Sequence, residues 1–464
     1  SDNNGSGNIF FSGAASVSTN GGNITLAGGA DSGGSPAGYT SQIYATGHFT
    51  ASSNGGNILL KSISGSVYTS SYFGSGDFNA GSGSITFDAQ QIGTQVGLFF
   101  SGPVNITSTK NSGTAISLTG TANSSYGVLF NSVASTVSTI KSTGGGAIII
   151  NGSSVNPSSG SIPGIYLFAD VLSSSGAITI NGGAAGIVMS SSGTSVVGQK
   201  TGQVNTSSSN ISVVADRIDA SDPNTLLSVV SSGTGSITSS GASFSNTLDL
   251  TRITFGNTLS GLTLGKPSNT SDIGIGANTS IAGPVNVFAN AIFISADLNT
   301  TNTTTGDVTF NAATVTGTGN ITLASGRSLS VTQSANSTYS GIISGTGSSL
   351  TKLGAGTLTL TGANSYTGAT NITTGILQVG DGGTTGTLGT GNIFNNVSLN
   401  FNRSNDLTVG SDISGTGTIT KLGASTLTLT GSNSYNGITT ISAGTLQIGA
   451  GGTNASLGTA SVVN

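Results

Sequence analysis

The chain has 464 residues, of which only 6% are charged, and its net charge at pH 7 is −4. Eleven basic residues in a chain that is negative overall do not form the positive surface that nucleic-acid binding requires. Disorder caused by charge is also excluded, because disordered chains combine low hydrophobicity with high net charge, whereas 34% of this chain is apolar.

One short pattern recurs along the chain: a turn of Gly with Asn, Ser, Ala or Asp precedes a few β-branched or aliphatic residues. Many of the gaps between copies are about 20 to 35 residues, the range of solenoid repeats. Their uneven lengths indicate regular coils joined by loops of different size. The pattern predicts strands at 22–26, 56–60, 83–87, 146–150, 176–180, 306–310 and 319–323.

These strands predict an all-β fold, a parallel β-helix or β-solenoid. Its stacked coils bury aliphatic side chains, carry Ser, Thr and Asn outward, and turn at Gly and Asn. Charges are rare because they would stack in like-sign columns about 4.8 Å apart. At roughly 22 residues per coil, the chain would form on the order of 20 coils and a rod about 100 Å long.

Aromatic residues concentrate near the start of the chain. Exposed aromatic faces could stack on sugar rings or anchor a protein partner. The interpretation that we favour is stacking inside the core or an apolar cap at the end of the solenoid. The residues are Tyr39, Tyr44, Phe49, Tyr68, Tyr72, Phe73, Phe78, Phe87, Phe99 and Phe100.

The only histidine is His48, and the chain has neither Cys nor Glu. One imidazole without such partners does not make a transition-metal site, so we expect a surface or loop histidine. A Ser–His–Asp triad cannot be argued either, because serine is everywhere in the chain. We expect little change in far-UV circular dichroism between about pH 5 and 8, the range in which histidine normally titrates.

The nearest candidate for paired catalytic carboxylates is Asp216, Asp219 and Asp222. Three-residue spacing divides them between the two faces of a strand, and Pro223 indicates a loop, so we expect solvated or turn-capping roles. The glycine-rich segment 380–386 is predicted to be a turn, since no phosphate-binding GKS or GKT follows it. We therefore predict no catalytic, cofactor-binding or metal-binding residues, no cofactor and no enzymatic activity.

Two segments near the end of the sequence are almost copies of each other: KLGAGTLTLTGANSY at 352–366 and KLGASTLTLTGSNSY at 421–435, an offset of 69 residues. The offset persists in GILQVG at 375–380 and GTLQIG at 444–449. Alternating Leu and Thr predict half-buried strands, and the repeat is interpreted as a block of about three coils.

This repeat resembles the passenger-associated transport repeat of bacterial autotransporters, over about residues 341–458. Upstream, GGNITLAGGAD is similar to segments of filamentous-haemagglutinin-like surface proteins. The resemblance implies a right-handed parallel β-helix, export by type V secretion, and a location on or outside the outer membrane of a Gram-negative bacterium. The absence of cysteine suits passage through an outer-membrane pore, which disulfides would block. Membrane contact is expected only through the family's C-terminal β-barrel, which this sequence lacks.

The predicted organisation is an irregular β-helix with projecting loops over 1–325, followed by a β-helix of two repeats over 326–464 (about 341–410 and 411–464). The expected function is adhesion, aggregation or surface attachment, with host or bacterial surface receptors or glycans as partners. One alternative is a subunit of an extracellular filament or sheath that self-associates end to end. A polysaccharide-acting β-helix enzyme is a weaker alternative, because Glu and a carboxylate cluster are missing.

Overall fold

The computed structural model describes residues 8–27, 42–64, 71–91, 94–131, 137–155, 162–189, 194–198, 208–219, 226–451, 455–459 and 461–464. The regular secondary structure of these residues consists of β-strands. None of the described segments forms a helix long and apolar enough to cross a membrane. The chain divides into an N-terminal unit, Ser1–Asn246 with Arg252–Leu259, and a C-terminal unit, Thr247–Thr251 with Ser260–Asn464. The predicted division near residue 325 falls inside the C-terminal unit and stays a prediction.

The N-terminal unit contains two parallel stacks of strands. The first stack, in spatial order, is Ile218–Asp219, Ile187–Met189, Ile165–Leu167, Val128–Phe130, Leu98–Phe100, Ser71–Asn79, Val104–Ser108, Ser138–Ser142, Ala169–Ser173, Thr194–Gly198, Leu226–Val230 and Ile253–Phe255. Gln42–Ser52 also pairs with Ser71–Asn79, and Asn8–Phe11 and Ala15–Ser18 pair in turn with Gln42–Ser52. The second stack is Ile24–Leu26, Ile58–Ser64, Ile85–Gln91, Thr114–Ala122, Ala147–Ser154, Ile178–Gly183, Ile211–Ala215 and Thr234–Thr238.

The C-terminal unit presents three faces. The first is Gly261–Leu264, Val285–Phe288, Val308–Ala312, Ser328–Gln333, Ser349–Leu353, Thr370–Ile372, Ile393–Asn395 and Ile413–Ser414. The second is Leu248–Asp249, Ile273–Ile275, Ala291–Ile294, Thr314–Gly317, Ser337–Tyr339, Thr357–Leu360, Ile376–Val379, Ser398–Phe401, Thr418–Lys421, Thr439–Ile441 and Val462–Val463. The third has two separate groups, Thr279–Ile281, Leu298–Thr300, Ile321–Thr322 and Ile343–Ser344, then Leu407–Val409, Thr426–Leu429 and Thr445–Ile448.

Each coil lies in register on the next, and this pairing builds the core. Along the second stack of the N-terminal unit, isoleucines at the same register position follow one another from coil to coil. All of them are buried, because alternate side chains of each strand point into the core. The column is Ile58, Ile85, Ile116, Ile148, Ile178 and Ile211. These parallel ladders confirm the predicted all-β parallel β-helix.

The glycine that opens several of the predicted strands is explained by how closely the coils approach. A Cβ atom on Gly56 would lie 2.1 Å from the carbonyl oxygen of Gly22, and one on Gly83 would lie 2.0 Å from that of Gly56. No side chain fits at such distances, so the recurring glycine is a packing requirement of stacked turns.

The two sequence repeats do not occupy equivalent faces. Lys352 lies on the first face of the C-terminal unit, in register with Val331 and Ile372, whereas Lys421 lies on the second face. Three coils take 63 residues along the first face, from Leu350 to Ile413, which is six residues fewer than the repeat offset. The repeat is therefore three coils plus one further face, close to the expected block of about three coils.

Candidate binding face

A column of aromatic side chains runs along the outside of the first stack of the N-terminal unit. Phe10, Tyr44, Tyr72 and Phe99 occupy successive coils in direct register. They alternate with buried residues on their own strands, such as Phe73, so their side chains face outward. The column continues through Leu129, Tyr166 and Val188, and we call these seven residues the aromatic column.

The rings of the aromatic column stack on one another. Phe10 and Tyr44 have centroids 5.5 Å apart and ring planes 4° apart, and Tyr44 and Tyr72 have centroids 4.5 Å apart with planes at 16°. Phe99 meets Tyr72 edge-on, at 5.2 Å and 78°. Since the stacked faces cover each other, Tyr44 and Tyr72 present mainly ring edges and hydroxyl groups outward. Phe10 is 61% exposed.

A second group of aromatic rings lies beneath this column in the core. Phe73 contacts Phe49, Phe78, Phe87 and Phe100, and all five side chains are buried. The favoured interpretation, stacking inside the core, is therefore confirmed for these five rings, whereas partner binding by the outer rings stays a prediction. Tyr39 and Tyr68 lie outside the described part of the chain.

A polar network flanks the aromatic column on the same strands. His48 Nε2 lies 2.9 Å from Asp77 Oδ2, and His48 Nδ1 lies 3.1 Å from Ser75 Oγ. Asn105 Nδ2 donates to the other oxygen of Asp77 at 2.7 Å. The predicted surface histidine is confirmed, and its partners lie on the neighbouring strand, which sequence spacing did not reveal.

Ser75, His48 and Asp77 are the residue types of a nucleophilic serine triad, but the ring nitrogens are exchanged. Here Nδ1 contacts the serine and Nε2 the aspartate, whereas in a triad Nε2 contacts the serine. The side chains of His48 and Asp77 are 49% and 46% exposed, so water screens the pair. Among the residues that the structure describes, no three His, Cys, Asp or Glu side chains converge as metal ligands.

The three aspartates considered as catalytic carboxylates are Asp216, Asp219 and Asp222. Asp216 Oδ1 accepts hydrogen bonds from the Ser240 amide and hydroxyl, both at 2.7 Å, and from the Gly241 amide at 2.9 Å. Asp216 thus holds a turn, as expected of a turn-capping carboxylate. Asp219 lies in the strand Ile218–Asp219, and Asp222 falls outside the described residues.

The glycine-rich segment 380–386 is a turn, as predicted. Gly380, Gly382 and Gly386 have φ angles of 78°, 98° and 108°, the left-handed region that glycine tolerates. Arg403 holds the turn by donating hydrogen bonds to the carbonyl oxygens of Gly386 at 2.9 Å and Thr384 at 2.7 Å.

Each repeat copy contains a buried lysine that ties two coils together. Lys352 is 0% exposed, and its ammonium group donates to the carbonyl oxygens of Leu353, Gly354 and, on the next coil, Thr374, at 2.7, 2.8 and 3.3 Å. Burial lowers the pKa of Lys352 to about 8.

In the second copy, Lys421 is likewise buried and donates to the carbonyl oxygens of Gly423 and Ala443. Burial lowers the pKa of Lys421, and the charge of Asp406 partly offsets this. The burial of these lysines was not predicted; the signal available was a lysine in the same place of both copies in a chain with few charges.

Each copy also buries a tyrosine under a glycine. The Tyr366 hydroxyl lies 2.7 Å from Thr370 Oγ1. A Cβ atom on Gly389 would lie 2.1 Å from the Tyr366 carbonyl oxygen and 2.4 Å from its ring. The second copy repeats the arrangement, since a Cβ atom on Gly458 would lie 2.1 Å from the Tyr435 carbonyl oxygen. These contacts explain the glycine at the end of each copy.

A buried asparagine completes the repeat. Asn364 accepts a hydrogen bond from the Ile343 amide at 2.8 Å and donates one to the Thr387 carbonyl at 2.7 Å, so it connects three successive coils. Asn433 makes the equivalent pair of bonds in the second copy.

Comparison with known families agrees with this geometry. The model of the passenger-associated-transport-repeat matches residues 350–379 and 419–448, which include both buried lysines. No curated protein and no solved structure matches the chain. The resemblance of the upstream residues to filamentous-haemagglutinin-like proteins gains no support and stays a prediction.

Proposed function

We propose that this chain, an autotransporter passenger by its two passenger-associated transport repeats, is an adhesin. The repeats indicate export to the cell surface or the extracellular space. We further propose that the membrane crossed is the outer membrane of a Gram-negative bacterium. The partner is a receptor on a host or bacterial surface, either a protein or a glycan.

The observation that carries this proposal is the aromatic column. Its six steps between coils, at about 4.8 Å each, give an apolar strip about 29 Å long in a chain that is rich in Ser, Thr, Asn and Gly. Tyrosine edges with hydroxyl groups combine apolar contact with hydrogen bonding, and aromatic side chains supply much of the energy of protein interfaces. With so few charges, specificity would depend on shape and hydrogen bonds.

We propose that binding occurs without catalysis. The network of Ser75, His48 and Asp77 lies on the outer surface of a strand pair, where water competes for its hydrogen bonds. Serine catalysis draws most of its rate from donors preorganised in a water-excluded site. A fluorophosphonate reagent, which labels activated serines, should therefore leave the protein unmodified; labelling lost in Ser75→Ala would overturn this part of the proposal.

Adhesion is tested by the binding of purified protein to cultured host cells and to bacteria. The double variant Tyr44→Ser/Tyr72→Ser should bind about tenfold more weakly or not at all, because two central contacts are lost. Its matched control is Phe293→Ser/Phe394→Ser, which removes two aromatic rings, each 44% exposed, from the C-terminal unit. Equal binding by both variants would contradict the role of the aromatic column. Concentration-dependent fibres in electron micrographs would favour the filament instead.

A further inference from the structure

The third face of the C-terminal unit is interrupted just after the first repeat copy. Residues 387–390 pair back toward the preceding coil through the bridge between Ala363 and Thr387. The strand Leu407–Val409 pairs forward with Thr426–Leu429. Within the described chain no ladder joins residues 387–390 to Leu407–Val409, although the two segments follow each other on this face.

The interruption leaves a groove of about 320 Å³. Val379 and Phe401 are buried side chains that form its apolar floor, and Leu388 lies along one wall. None of the residues that line it is charged.

The two walls of the groove differ in their hydrogen bonding. On the first wall, Asn364 holds the Thr387 carbonyl. The amides of Thr387 and Thr390 donate to the carbonyl oxygens of Gly362 and Tyr366, both at 3.0 Å. The backbone polar groups of this wall are therefore mostly hydrogen-bonded within the repeat itself.

The opposite wall is a strand edge. The backbone amide of Thr430 donates a hydrogen bond to the Val409 carbonyl at 3.0 Å. Leu407 and Val409 therefore direct their backbone N–H and C=O groups toward the following coil. By the alternation of a parallel ladder, the backbone N–H and C=O of Thr408 point the other way, into the groove. Such an unpaired edge is a template for another strand.

We propose that this groove binds a short extended peptide that adds a strand along Thr408. The length of the edge accommodates about three residues, at about 3.3 Å each. The peptide has no charged side chains, because a charge on this floor would lose its hydration without gaining a partner. Its alternate side chains are apolar and face Val379 and Phe401, while its backbone pairs with the edge, as in other strand-addition complexes.

The strand already paired with the far edge of Leu407–Val409 supplies the probe. An acetylated and amidated TLTLT peptide, copied from residues 426–430, is titrated into the full chain by isothermal calorimetry. The control peptide is TLPLT, because proline removes the central N–H. We expect saturable binding of TLTLT and at least about tenfold weaker binding of TLPLT, the effect of one lost backbone hydrogen bond.

Two variants of the protein separate edge pairing from general apolar contact. Thr408→Val keeps the backbone N–H and should bind as the parent chain does, whereas Thr408→Pro removes it and should bind about tenfold more weakly or less. Leu388→Trp fills the groove without touching the edge, and it should also abolish binding even if the proline variant proves unstable. No saturable binding by the parent chain, or equal binding by all variants, overturns the proposal.

Discussion

Lys352 and Lys421 hold the same place in two nearly identical segments, yet they lie on different faces of the C-terminal unit. Lys352 is in register with Ile372, and Lys421 is in register with Phe401 and Ile441. Equivalent residues of the two copies therefore lie on neighbouring faces of the unit. As a result, identical side chains do not line up on one face. This arrangement suits a repeat that stabilises coils more than one that displays a ligand-binding surface.

The buried lysine predicts how stability changes at alkaline pH. The unfolded chain, with an ordinary lysine pKa of 10.5, binds the proton more tightly than the folded chain, in which the pKa of Lys352 is about 8. The free energy of unfolding should therefore rise as the pH increases from about 8 toward 10.5. Urea unfolding at about pH 7 and about pH 9.5 measures this rise.

Replacement of Lys352 by Met should reduce the rise but leave the part due to Lys421, whose pKa is also lowered. Lys266→Met, at a partly exposed lysine of the same unit, controls for the loss of a positive charge. An unchanged pH dependence in Lys352→Met would contradict the assignment. The rise in the free energy of unfolding should end near pH 10. Burial raises the pKa of Tyr366 to about 12, so above pH 10 the folded chain holds this proton more tightly than the unfolded chain does, and the free energy of unfolding falls.

Gly389→Ala should destabilise the C-terminal unit by about 1–3 kcal/mol, as overpacking of a tight site does. The new methyl group would meet both the carbonyl oxygen and the ring of Tyr366. Thermal unfolding followed by circular dichroism measures the loss. The matched control is Gly274→Ala, where the nearest atoms to a Cβ lie 3.9 Å away; an equal loss there would show that the Tyr366 contact is not the cause.

Tyr366→Phe should cost about 1–3 kcal/mol, because it leaves the buried hydroxyl of Thr370 without its hydrogen-bond partner. Denaturant unfolding gives the value. Tyr166→Phe removes a hydroxyl from a partly exposed tyrosine and should be nearly neutral. Equal effects of the two substitutions would contradict the role given to the buried hydroxyl.

The His48 network should contribute little to stability. Because His48 and Asp77 are each about half exposed, a double-mutant cycle with His48→Ala and Asp77→Ala should give a coupling below about 1 kcal/mol. The far-UV circular dichroism spectrum should change little between about pH 5 and 8. A cooperative transition in that window, absent in His48→Ala, would show that the network supports the fold.

The sequence by itself was sufficient to predict the fold class, because the patterns that indicate it lie within short continuous segments. Period-two alternation, as in Thr357–Leu360, predicts a strand. The expected half burial is wrong there, because the structure buries Thr359 as well as the two leucines. A glycine at the start of several strands marks where coils approach too closely for a side chain, as at Gly56. The transport repeat was recognisable for the same reason, since its lysine and tyrosine lie within one continuous segment in each copy.

The tertiary structure alone decided which residues meet across coils. Phe10, Tyr44, Tyr72 and Phe99 are separated by unequal numbers of residues, so no sequence period predicts their column. The same holds for His48 with Asp77. Loop lengths vary from coil to coil, and their sum determines register and face; this is why a repeat of constant offset places Lys352 and Lys421 on different faces of the unit.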